Sequence, residues 1–254
     1  MIYEICIFFL LFIIYSVIGW LIEVTLVSYN SGEFVNRGFL IGPYCPIYGV
    51  GCLSLLFLLQ KYINDVMVLF VMAALICSFI EYMTSYIMEK VFKARWWDYS
   101  DKKFNVNGRI CLVNSVYFGI LGCVLIYAIN PAIEPLIRTI PLVVTFVLSG
   151  VVFILFMIDF IVTTNVVTSL KRVAYEAKKD NTVEITKKVK EIVAEKSALG
   201  RRLLNAFPDF TSTLKSKQQE LNEKAEQLKT RILEEIEEQK TKFSERSQKF
   251  RLKK

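Results

Sequence analysis

The first 165 residues contain five apolar runs, over roughly 5–28, 44–60, 66–88, 110–129 and 141–165, joined by short connections. Crossing a bilayer core takes about 20 helical residues, and each run is that long or nearly so. In hydrocarbon every backbone N–H and C=O needs a protein partner, which restricts such runs to helices. The chain is therefore expected to be all-α, a polytopic membrane helix bundle of about five spans. No Lys or Arg and no small-x-small cleavage pattern marks the first run as a leader. It reads as a retained span.

Charge divides the chain. Residues 171–254 carry 22 Lys/Arg against 14 Asp/Glu, whereas the first 170 carry 9 against 10. The change at "TSLKR" (168–172) predicts a transmembrane domain over 1–168 and a basic helical arm over 169–254. The N-terminus and the connections near 61–65 and 130–140 hold only Lys61 and Arg138 as basic residues. The other side holds Arg37, Lys90, Lys93, Arg95, Lys102, Lys103 and Arg109, and then the arm. The positive-inside rule places the N-terminus outside and the arm in the cytoplasm, and an odd number of spans agrees.

Composition excludes several chemistries. The chain has no histidine, which rules out Ser-His and Cys-His nucleophile pairs and His-ligated zinc. No G-x-x-x-x-G-K-[ST] loop is present, so the chain does not hydrolyse ATP through a P-loop of its own. Cys6, Cys45, Cys52, Cys77, Cys111 and Cys123 lie in or beside apolar runs without a C-x-x-C pair. They read as packing residues. No cofactor, no metal and no enzymatic activity are expected.

Three carboxylates interrupt the apolar runs: Glu23, Glu81 (with Ser85 and Glu89 at i+4 and i+8) and Asp159. An ionised carboxylate at a span centre costs about 2.5–3.5 kcal/mol on insertion scales, so it faces a cavity or a partner. Arg37, Arg95 and Arg109 belong to the same side of the membrane. Two readings follow: structural ion pairs that hold the bundle, or a polar pocket open to the cytoplasm or inner leaflet. Both require proximity. The stretch "FLIGPYCPIYGVG" (39–51) concentrates Gly42, Pro43, Pro46, Gly49 and Gly51 around Tyr48 at the start of the second run. It predicts an irregular or re-entrant approach lining that pocket, or else a plain loop and a kinked helix start. In "RWWDYS" (95–100), Trp96 and Trp97 are either interface anchors or, with Arg95 and Asp98, one wall of the pocket. "NVNGR" (105–109) reads as a turn or helix start, with Asn105 and Asn107 bonding locally and Gly108 permissive.

Taken together, "GWLIEV" (19–24), "NRGFLIGPYCPIYGVG" (36–51), "EYMTSYIMEKVFKARWWDYS" (81–100) and "FNVNGRICL" (104–112) resemble the bacterial ABC-transporter type IV, or CmpB-like, family. The resemblance covers residues 1–165. It implies signature positions at Glu23, Arg37, Gly38, Gly42, Pro43, Pro46, Tyr48, Gly49, Glu81, Trp97, Asp98, Tyr99, Asn107 and Gly108. It also implies a multi-pass protein of a bacterial cytoplasmic membrane with a permease-like role. An ATPase subunit would then be a separate chain.

Beyond residue 170 the arm shows apolar positions at helical spacing, breaks at Gly200 and Pro208, and a heptad-like seam from Leu214 to Ile232. It reads as a solvated helical tail, as a coiled coil over 210–250 that self-associates or docks a cytoplasmic protein, or as a helix on the anionic leaflet. Interleaved acids argue against nucleic acid. The leading functional expectation is a transport component whose pocket includes Glu23, Arg37, Glu81, Arg95, Arg109 and Asp159. The alternatives are a scaffold or sensor acting through the arm and, third, an inner-leaflet lipid-modifying enzyme.

Overall fold

The computed structural model describes residues 1–32, 34–92 and 95–179. Helix α1 spans Ile2–Ser31, α2 Pro46–Leu59 and α3 Val66–Phe92. A two-stranded antiparallel hairpin, β1 (Asn105–Val106) and β2 (Ile110–Cys111), leads into α4 (Leu112–Val124). A π-helical turn over Leu125–Ile129 joins α4 to α5 (Asn130–Arg138), and α6 runs Leu142–Lys179. Among the described residues four helices are long and apolar enough to cross a membrane: Ile2–Tyr29, Val66–Phe92, Leu112–Arg138 and Leu142–Thr168. The chain is thus a helical membrane protein, with almost no strand among the described residues. The π turn immediately precedes Asn130-Pro131. A proline has no N–H to continue the ladder and its ring crowds the turn before it, and a widened turn absorbs both effects.

The second apolar run behaves differently from the other four. Only 14 of its residues are α-helical, a length of about 21 Å at 1.5 Å per residue, short of a core about 30 Å thick. The preceding stretch from Phe34 is non-helical and reaches deep: the Cys45 N–H donates to the Ser16 carbonyl at 2.9 Å, and Ser16 lies midway along α1. From there α2 returns antiparallel to α1. A Cβ on Gly49 would meet the Phe12 carbonyl and the Ser16 hydroxyl, so the two helices touch backbone to backbone.

The core forms at the Met1 end, where Ile7, Leu11, Leu55, Leu59, Leu69, Leu125 and Ile137 are buried together. The same end carries a polar chain. Tyr15 Oη donates to Asn130 Oδ1 at 2.6 Å, and Arg138 donates to both Glu4 oxygens at 3.0 Å. Large side chains such as Phe57, Phe79 and Leu155 are about 60% exposed, a belt that suits lipid and not water. The change from apolar to basic sequence near residue 168 falls inside α6, which continues to Lys179. The coiled-coil seam, the Gly200 and Pro208 breaks and the basic terminus lie outside the described residues.

Candidate functional site

A second and larger set of polar side chains gathers at the other end of the bundle, where α1 and α3 finish and the hairpin begins. They form three clusters. In the first, α1 presents Glu23 on the turn after Gly19, against which Tyr48 of α2 packs. The Tyr48 hydroxyl donates to Glu23 Oε1 at 2.6 Å, and Arg37 Nε lies 4.0 Å from Glu23 Oε2. Trp20 Nε1 donates to Asn36 Oδ1 at 2.8 Å, which fixes the start of the non-helical stretch.

Glu81 of α3 belongs beside this pair. It is 7% exposed, its Oε1 accepts from the Tyr99 hydroxyl at 3.1 Å, and its Oε2 has no hydrogen-bond partner among the described residues. No salt bridge to Glu81 is found among those residues. A buried carboxylate without a counter-charge is costly. Tyr99 stands outside the spans. Burial raises its hydroxyl above the ordinary phenol range, and the charge of Glu81 and their hydrogen bond push the same way. It therefore acts as a donor at any physiological pH.

The second cluster is a staple. Asp159 Oδ1 accepts from the Ile41 N–H at 2.9 Å and from Thr163 Oγ1 at 3.0 Å. Its Oδ2 accepts from the Gly42 N–H at 2.7 Å and from the Tyr44 hydroxyl. The carboxylate thus satisfies backbone donors that the Gly42-Pro43 turn leaves without helical partners. Pro46 opens α2 at its first position, where its missing N–H costs nothing.

The third cluster surrounds the hairpin. Glu89 Oε2 accepts from Arg109 NH2 at 2.7 Å and from Arg95 Nε at 3.2 Å, and Arg95 NH1 reaches Asp98 Oδ2 at 3.3 Å. Asn107 and Gly108 form the turn with φ of 54° and 67°, an Asn-Gly pair of the kind tight hairpins favour. A Cβ on Gly108 would strike Asp98, Ser100 and Arg95. Asn107 Nδ2 donates to the Tyr82 hydroxyl at 3.0 Å, and Trp97 Nε1 to the Arg109 carbonyl at 3.1 Å. Trp96 is 3% exposed and packs on Phe39 and Phe92, so it is a core residue and not an anchor in the headgroup zone.

Burial opposes ionisation of Asp98, but the Ser100 hydroxyl and N–H and then Arg95 outweigh it and hold its carboxyl below the ordinary range. Its contribution to stability is then complete above about pH 4 and lost as pH falls through the lowered value. A melting-temperature difference between wild type and Asp98→Asn should be constant from pH 5 to 7 and shrink below about pH 4. A difference that grows on acidification would contradict this assignment.

The thirteen side chains singled out above are brought to one end of the bundle but not into one pocket. Glu23, Arg37, Tyr48 and Glu81 form one group, Gly42, Pro43, Pro46 and Asp159 another, and Arg95, Trp97, Asp98, Asn107 and Arg109 a third. Two contributors, Tyr44 and Glu89, are not among the expected site residues, and Tyr99 is expected only as a signature position implied by the family resemblance. Tyr99 and Tyr44 give no periodic signal, since each acts from a non-helical segment. Glu89 was legible only as a second acid in register with Glu81.

The family model described as "Putative ABC-transporter type IV" matches residues 10–164. Those bounds take in all three clusters. No curated protein and no solved structure matches the chain.

Proposed function

The chain belongs to the ABC-transporter type IV family, and on that premise we propose that it is the permease-like membrane component of a transporter, with its nucleotide-hydrolysing subunit supplied by another protein. The observation that carries this reading is the broken second crossing. Non-helical backbone at Ser16 depth, followed by a helix that starts there, is the construction that lines substrate paths in transport proteins. The mouth of that path is the Glu23–Tyr48–Glu81–Tyr99 group, with Arg37 beside it. In this reading residues 34–59 count as one crossing, the bundle has five, and basic-residue asymmetry puts the N-terminus outside and the polar end in the cytoplasm. The chain performs no catalysis of its own.

Native mass spectrometry of the tagged protein, purified gently from its own host, tests the proposal. A nucleotide-binding subunit in fixed stoichiometry is the expected result. The protein recovered alone or only with copies of itself would overturn it.

A further inference from the structure

An open groove of about 520 Å³ lies where the last turns of α3 meet the hairpin, lined by Tyr82, Tyr86, Arg95, Asn107 and Arg109 among others. Its charge is unbalanced. Lys90, whose Nζ sits 4.9 Å over the Tyr86 ring, joins Arg95 and Arg109 against Glu89 and Asp98. Both arginines lean on the same Glu89 oxygen, and only Arg95 has a second carboxylate. Among the described residues Arg95 donates through Nε and NH1 and Arg109 through NH2, and the Arg109 Nε–H is buried with no acceptor there. The Arg109 guanidinium is held over the faces of Tyr82 and Tyr86, 5.5 and 5.4 Å from the ring centroids. That contact fixes its plane.

We infer that this groove binds a phosphate oxyanion. Paired planar guanidinium groups match phosphate oxygens, with the neighbouring amide and hydroxyls completing the shell. One surplus positive charge complements one phosphodiester. Two sources can supply that chemistry, an anionic phospholipid headgroup or a free phosphate. The surroundings favour the headgroup. Phe104 is 79% exposed in a left-handed conformation and Val106 is 50% exposed, so the hairpin presents apolar side chains next to the groove, at the end of a bundle that stands in lipid. This inference concerns the arginine cluster and is independent of the transport reading.

The test is the melting temperature of the detergent-solubilised full chain, titrated with dihexanoyl phosphatidylglycerol, dihexanoyl phosphatidylcholine or inorganic phosphate at matched ionic strength. Phosphatidylglycerol should stabilise wild type, and Arg95→Gln and Arg109→Gln should raise the half-maximal concentration about tenfold. If Arg109→Gln fails to fold, Arg95→Gln, which leaves the Arg109–Glu89 pair intact, carries the test. Stabilisation by phosphatidylglycerol but not by inorganic phosphate assigns a lipid headgroup, and equal stabilisation by both assigns a soluble phosphate. The inference is overturned if neither anionic species stabilises wild type, if phosphatidylcholine does as well as phosphatidylglycerol, or if Arg95→Gln leaves the half-maximal concentration unchanged.

Discussion

Gly49→Val should destabilise the membrane domain by about 3 kcal/mol, at the upper end of what overpacking costs. The position sits where α2 crosses α1 next to Ser16, and the atoms that an added Cβ would meet include the Phe12 carbonyl. Backbone of a packed helix cannot turn aside as a side chain can. Separation of α1 from α2 would also pull Tyr48 from Glu23 and Cys45 from its bond to Ser16. A glycine on α6 provides the contrast: nothing lies within 4 Å of a Cβ built on Gly150. Thermal melts followed by fluorescence-detected size exclusion in detergent should show Gly49→Val melting far below wild type and Gly150→Ala close to it. If Gly49→Val melted within a degree or two of wild type, the close α1–α2 contact would be wrong.

Asp159→Ala ranks second in expected effect. It removes the acceptor for the Ile41 and Gly42 N–H groups and for Tyr44 and Thr163 at once. The Ile41 N–H lies at an exposed residue and the Gly42 N–H is partly buried. A buried donor left unsatisfied costs about 1–3 kcal/mol, and where the turn faces hydrocarbon no water replaces the lost partner. With two backbone N–H groups involved, a loss of about 3 kcal/mol is expected, concentrated in the stretch that Asp159 staples. Cys45, four residues beyond Ile41 and 9% exposed, reports on that stretch directly. Labelling by a membrane-permeant maleimide, mapped by peptide mass spectrometry, should accelerate at Cys45 in Asp159→Ala and remain at the wild-type rate in Glu81→Gln. Unchanged Cys45 labelling in Asp159→Ala would mean that the carboxylate does not hold the segment.

Asp159 also shows how a residue can be picked out correctly while its partners stay hidden. An acid in an apolar run demands a partner, and nearby arginines were the obvious candidates. The partners are instead backbone N–H groups more than a hundred residues earlier in the chain. The need for them could be read from Gly42 and Pro43, which remove regular helix. Which carboxylate meets the need depends on α6 lying beside that turn. Arg95 and Arg109 have their own acceptor in Glu89, a residue notable in sequence only for its register with Glu81, and Arg37 stands beside Glu23. Trp96 differs again: tandem tryptophans beside basic residues suit a membrane surface, yet Phe39 and Phe92 enclose this one.

What the amino-acid order determined by itself is therefore whatever the bilayer enforces locally. Long apolar runs must be helices because their backbone has no other partner, and the Gly42-Pro43 pair breaks the approach to the second run, whereas single glycines such as Gly49, Gly119 and Gly150 stay within helices. The Asn107-Gly108 turn belongs with these, since both residues take φ above zero within their own few bonds. Tertiary structure alone decided which polar groups meet. Glu23 and Tyr48, Glu81 and Tyr99, Asp159 and Gly42, and Arg109 and Glu89 are separated by 18 to 117 residues. Each pairing depends on how helices turn about their axes and slide against one another. Those rotations follow from close contacts such as Gly49 on Phe12 and Ser16, summed over the whole bundle, and no window of sequence contains that sum.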